Sequence, residues 1–148
     1  MSRNDPPITA AAVDVAAGTF VAAMLDGRRT LCLKVDRIGK DHVNHFLVPL
    51  DPVDDRRKLA LVYTDPEMRV TVVEGVSFAF SDVAGDKGVD TAPEVGDAFS
   101  SALGVYLKVI DRPLSQRMHA YVDVATGLLR PRMERHIDRL LDWSIQRL

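Results

Sequence analysis

Phe20-Val-Ala-Ala-Met-Leu-Asp-Gly-Arg-Arg-Thr-Leu-Cys-Leu-Lys-Val35 is the stretch on which the fold turns. Two runs of period two, Phe20–Leu25 and Arg29–Val35, flank Asp26-Gly27. That dipeptide is favoured in type I′ hairpin turns, where both central residues take positive φ. The spacing predicts two antiparallel strands. In the second, Leu31, Leu33 and Val35 project to one side and Thr30, Cys32 and Lys34 to the other, so the only thiol falls on the more polar face.

Working outward, the same alternation predicts strands over Val43–Val48, Leu59–Tyr63, Arg69–Phe80, Phe99–Ile110 and Met118–Val124. Glu74-Gly75 marks a bulge or bend inside the longest of them. Pro6 and Pro7 discourage a regular start, and residues 1–12 are expected to be mobile, while Ile8–Ala17 suits a helix and an edge strand equally. Residues 82–97, rich in glycine and acids, read as a long loop. Near the end, Met133, Ile137, Leu140, Leu141, Ile145 and Leu148 recur at helical intervals, which predicts an amphipathic helix over 131–147 opening near Pro131.

The expected fold is therefore mainly β. It is a small antiparallel barrel or rolled sheet of seven to eight strands with one C-terminal helix, forming a single domain over residues 13–148. No internal repeat is visible in the sequence.

Composition narrows the function. The chain has 148 residues, 47% hydrophobic and 27% charged, which suits one soluble domain. Nineteen Lys and Arg against 21 Asp and Glu leave a formal charge of −2, so a nucleic-acid partner is not expected. No apolar run reaches the roughly 18 residues of a membrane span, and Met-Ser-Arg-Asn-Asp-Pro-Pro lacks a secretory apolar stretch. A cytoplasmic location is expected. One cysteine, Cys32, precludes an intrachain disulfide and a multi-cysteine zinc site. No dinucleotide or P-loop glycine string occurs and no serine sits in a nucleophile elbow, so no cofactor is expected.

Three groups stand out chemically. His119, Tyr121 and Asp123 alternate along one strand and share a face, where they could carry acid–base or metal-assisted hydrolysis. His42 and His45 lie three residues apart and could converge on a metal with Asp41 or His119 if the segment turned. If it is extended they face opposite sides, and no metal site is expected. Arg56-Arg57, followed by strands and then Asp82-Val83-Ala84, resembles the order of motifs in PilZ domains. Those are β-barrels that bind cyclic di-GMP through an arginine motif and a downstream D/N-x-S-x-x-G turn, with a helix after the barrel. The resemblance implies ligand contacts at Arg56, Arg57 and Asp82. The chain departs from the motif in lacking the second arginine, where Ala60 and Leu61 stand, and in carrying Ala84 in place of the serine.

The first functional expectation is a non-catalytic binding or assembly module, with self-association or a protein partner engaging Trp143 and the C-terminal helix. The alternatives are a hydrolase using His119, Tyr121 and Asp123, and cyclic-dinucleotide binding at Arg56 and Arg57.

Overall fold

A computed structural model describes residues 8–83, 92–131 and 137–148. The hairpin at its centre forms as expected: β2 (Phe20–Leu25) pairs with β3 (Arg28–Ile38) through a turn in which Asp26 has φ +50° and Gly27 φ +76°. Around it lie β1 (Thr9–Ala11), β4 (Val43–Asp51), β5 (Val62–Tyr63) and β6 (Arg69–Val72). These six make one antiparallel sheet in the order β1-β6-β2-β3-β4-β5. A second six-stranded sheet holds β7 (Val76–Asp82), β8 (Ala98–Ser101), β9 (Gly104–Ile110), β10 (His119–Asp123), β11 (Leu129–Arg130) and β12 (Arg139–Arg147) in the order β11-β10-β9-β8-β12-β7.

Two expectations are corrected. The sheets stack as separate layers and do not close into a barrel, and the described residues contain no α-helix. The segment 139–147 is β12, paired with β8 on one side and β7 on the other; residues 132–136 of the expected helix lie outside the described ones. Leu141, Trp143 and Ile145 point into the main core while Leu140 packs on the opposite face of the sheet. The helical stripe and the alternating one share residues here, and the partners β7 and β8, which the local pattern does not show, select the strand. At the other end, Thr9–Ala11 pairs with β6, and residues 1–7 lie outside the described set.

The long β signal from Arg69 to Phe80 divides at Glu74-Gly75, where Gly75 has φ +73°, and the chain passes there from the first sheet to the second. The main core fills the space between the sheets, with Leu33, Val35, Phe46 and Val48 meeting Leu107, Val109, Val122 and Trp143. Both outer faces are also covered in part. Ala12 and Val15 close over Val21, Cys32, Leu47 and Val70 on the first sheet, and Phe99, Tyr106, Tyr121 and Leu140 cluster on the second. The face of β3 expected to be polar is thus a second core, and Cys32 is buried there.

The two sheets are copies of one plan. Each runs in the order first, sixth, second, third, fourth, fifth of its own strands. Gly18 and Gly96 occupy matching places, both at positive φ (+88° and +91°). Gly18 N–H donates to Lys34 O at 2.8 Å and Lys34 N–H to Thr19 O at 2.9 Å. In the second half Gly96 N–H donates to Lys108 O at 2.8 Å and Lys108 N–H to Asp97 O at 3.0 Å. The side chains agree too: Lys34 Nζ donates to Val15 O at 2.9 Å and Lys108 Nζ to Pro93 O at 3.0 Å. Parallel bridges join Asp36 to Leu128 and Ile110 to Ala60, each linking the third strand of one half to the residues just before the fifth in the other. Leu-Lys-Val at 33–35 and again at 107–109, with His45 and His119 following at the same interval, is what the sequence retains of this internal repeat.

Candidate functional site

His119, Tyr121 and Asp123 do share the outer face of β10, but the structure gives them separate surroundings. Tyr121 is buried, with its ring edge-on to Phe99 at 5.7 Å. Asp123 is a turn residue: its Oδ1 accepts from Ala125 N–H at 3.0 Å and its carbonyl from Gly127 N–H at 2.7 Å. His119 is exposed at the start of the strand. One member of the trio lies in a core, one in a turn and one on the surface.

The arginine pair is also divided. Arg56 stacks its guanidinium 3.8 Å from the centroid of the Trp143 ring and donates to Trp143 O at 2.9 Å. The indole N–H in turn donates to Gly96 O at 2.7 Å, so Arg56 and Trp143 lock the 56–58 turn to β12. Trp143, expected on a partner surface, is 5% exposed and belongs to the core. Arg57 points outward beside Asp55, whose carboxyl accepts from Arg57 N–H at 2.9 Å; that backbone hydrogen bond first, aided by the guanidinium, holds Asp55 below the usual carboxylate range. Asp82 pairs with Arg139 at 2.9 Å. Among the described residues no hydrogen bond or ion pair links Asp82 to either arginine, and Ala84 lies outside them.

The histidines do not converge. His42 ends an exposed turn in which Gly39 N–H donates to its carbonyl. His45 lies on the outer face of the first sheet and His119 on the outer face of the second, at opposite sides of the two layers. Among the described residues no group of three or more His, Cys, Asp or Glu is placed to hold a metal ion.

Sequence reasoning missed a polar cluster built on β3 and β4. Lys34, wholly buried, donates to Asp36 Oδ1 at 2.6 Å and to Val15 O at 2.9 Å, and lies 3.0 Å from His45 Nδ1, itself 2.9 Å from Asp36 Oδ1. An ammonium has three protons: Val15 O and Asp36 Oδ1 accept two, and His45 Nδ1 accepts the third in the tautomer protonated at Nε2. The cluster ties the turn at Ala12–Asp14 down onto the sheet and leaves the amine no donor for a ligand. The signal was present as a lysine two residues before an aspartate on one face of an apolar strand. In the second half Ile110 replaces the aspartate.

Beside the β2–β3 hairpin lies a cleft of about 630 Å³. Its position follows from the internal repeat. The first half is longer than the second in two places: between Gly18 and Lys34, at the β2–β3 hairpin, and between Val48 and Leu59, after β4. These two additions face each other and wall the cleft, the hairpin supplying Met24, Leu25 and Arg28, the end of β4 and the connection after it Pro49, Val53 and Lys58, with Arg112 joining from the turn after β9 and Asp26, Asp54 and Asp55 in the same lining. Arg28 is already paired with Asp54 at 3.8 Å, and Asp55 with Arg57. Among the described residues Lys58 and Arg112 have no ion-pair partner.

No family model, no curated protein and no solved structure matches this chain. Among the described residues no helix is long and apolar enough to cross a membrane.

Proposed function

We propose that the chain is a non-catalytic binding module of the cytoplasm, and that its ligand is a small amphipathic anion held in the cleft beside the β2–β3 hairpin. One observation carries this reading. The two segments in which the first half is longer than its counterpart between matching strands are the two that build the cleft. Loops added to a regular scaffold are where binding residues concentrate. The chemistry of the ligand follows from the lining: Met24, Pro49, Val53 and Leu59 offer an apolar wall, and Lys58 and Arg112, which form no ion pair among the described residues although Asp26, Asp54 and Asp55 share the lining, offer positive charge. An apolar body with a carboxylate, sulfonate or phosphate head satisfies both. The cytoplasmic setting accords with a lone reduced thiol at Cys32.

Fluorescence titration with anilinonaphthalene sulfonate tests the site. Saturable binding to the native protein is expected, weakened on the order of tenfold when Lys58→Gln and Arg112→Gln are combined, with the melting temperature unchanged. Equal affinity of the double variant, or no saturable binding, overturns the proposal.

A further inference from the structure

We propose that two copies of this chain associate through β7, edge to edge, into a continuous sheet. Strand β7 lies at the end of the second sheet and, among the described residues, pairs only with β12. Leu148 N–H donates to Gly75 O at 2.7 Å, which fixes the alternation of the ladder. In that register Ser77, Ala79 and Ser81 turn their backbone groups toward β12, while Val76, Phe78, Phe80 and Asp82 turn theirs outward. Among the described residues no strand meets that outward edge.

The edge lacks the usual protection. Proteins blunt exposed edges with lysine, proline, bulges or very short strands. Here seven residues, Val-Ser-Phe-Ala-Phe-Ser-Asp, run without proline or lysine, and the register to β12 is unbroken. Phe78 and Phe80, only half-buried, stack at 5.6 Å beside it.

The strand is also complementary to itself. An antiparallel copy centred on Ala79 sets Phe78 opposite Phe80, Ser77 opposite Ser81 and Ala79 opposite Ala79. Of the registers allowed by the outward alternation, it alone pairs all four outward-facing residues of each strand. Aromatic side chains then meet on the core side and small ones on the outer side, and the two-fold axis passes through Ala79, an isologous arrangement.

The test uses sedimentation and cross-linking on the full chain. A concentration-dependent dimer is expected, and Ala79→Lys, on the outer face, weakens it on the order of tenfold by placing like charges opposite each other while leaving the monomer's melting temperature intact. At the axis the two Cα atoms stand about 4.5 Å apart, within disulfide reach. Ala79→Cys therefore cross-links rapidly in oxidised glutathione, whereas Ser77→Cys, facing Ser81 of its copy, does not. A monomer at every concentration, with Ala79→Cys no faster than Ser77→Cys, overturns the inference. So does protection of the Val76, Phe78 and Phe80 amides from exchange in dilute monomer, since the chain then covers its own edge.

Discussion

Lys34 brings a charge beside the apolar cluster of Val21, Cys32 and Leu47, and its contacts with Val15 O, Asp36 and His45 make the burial tolerable. Lys34→Met removes the cation and leaves the Asp36 carboxylate and the Val15 carbonyl without it. Urea unfolding is expected to show a loss of about 3 kcal/mol, and a loss under about 1 kcal/mol would mean that the N-terminal turn is held by packing alone. Its neighbour Cys32 offers a test by pH. Burial pushes the thiol up to about 12 from 9.0. The native state keeps this proton in a range where the unfolded chain releases it, so the contribution is complete below pH 9 and is lost as pH rises toward 12. Stability should fall there by up to about 1.4 kcal/mol per pH unit. Subtracting the profile of Cys32→Ala isolates the effect from tyrosines and lysines, and parallel profiles would contradict it. The alternation of residues 30–35 was legible in the sequence. What covers each side was not, because Ala12 and Val15 come from a segment whose conformation its own residues leave open.

Strand β12 shows how an element can carry two periods at once. Leu140, Leu141 and Ile145 fit a helical stripe, whereas Leu141, Trp143 and Ile145 fit a strand, and the neighbours β7 and β8 decide between them. Amide exchange distinguishes the two: Asp142, Ser144 and Gln146, which face β7, are expected to be protected and Ile145 to exchange freely. Uniform protection over 139–147 would restore the helix. The hairpin at Asp26-Gly27 was legible because its turn chemistry is local. The division of Arg69–Phe80 between sheets showed only as Glu74-Gly75, since a bend does not announce which layer the chain enters next. Among candidate residues, the common face of His119, Tyr121 and Asp123 followed from alternation, but the apolar cover over Tyr121 depends on Phe99 and Leu140 from other strands.

Across the whole molecule, the first sheet is drawn wholly from residues before Val73 and the second wholly from residues after Glu74. The repeat behind this was illegible because few positions keep their identity: Lys34 and Lys108 keep both residue type and hydrogen bond, while Asp36 and Ile110 share only a place in the ladder. Arg37 on β3 forms an ion pair with buried Asp111 just after β9, fastening one layer to the other. Arg37→Ala leaves that carboxylate buried alone and is expected to cost about 3 kcal/mol in thermal or urea unfolding, with Arg37→Ala combined with Asp111→Ala less damaging than the single change. Equal damage would show the pair to be uncoupled. The lone crossing at Gly75 works like the spine of a book. Each cover can assemble from its own neighbouring residues, yet neither has a dry inner side until the other shuts against it, so the closing of the two is the step at which the protein becomes one cooperative body.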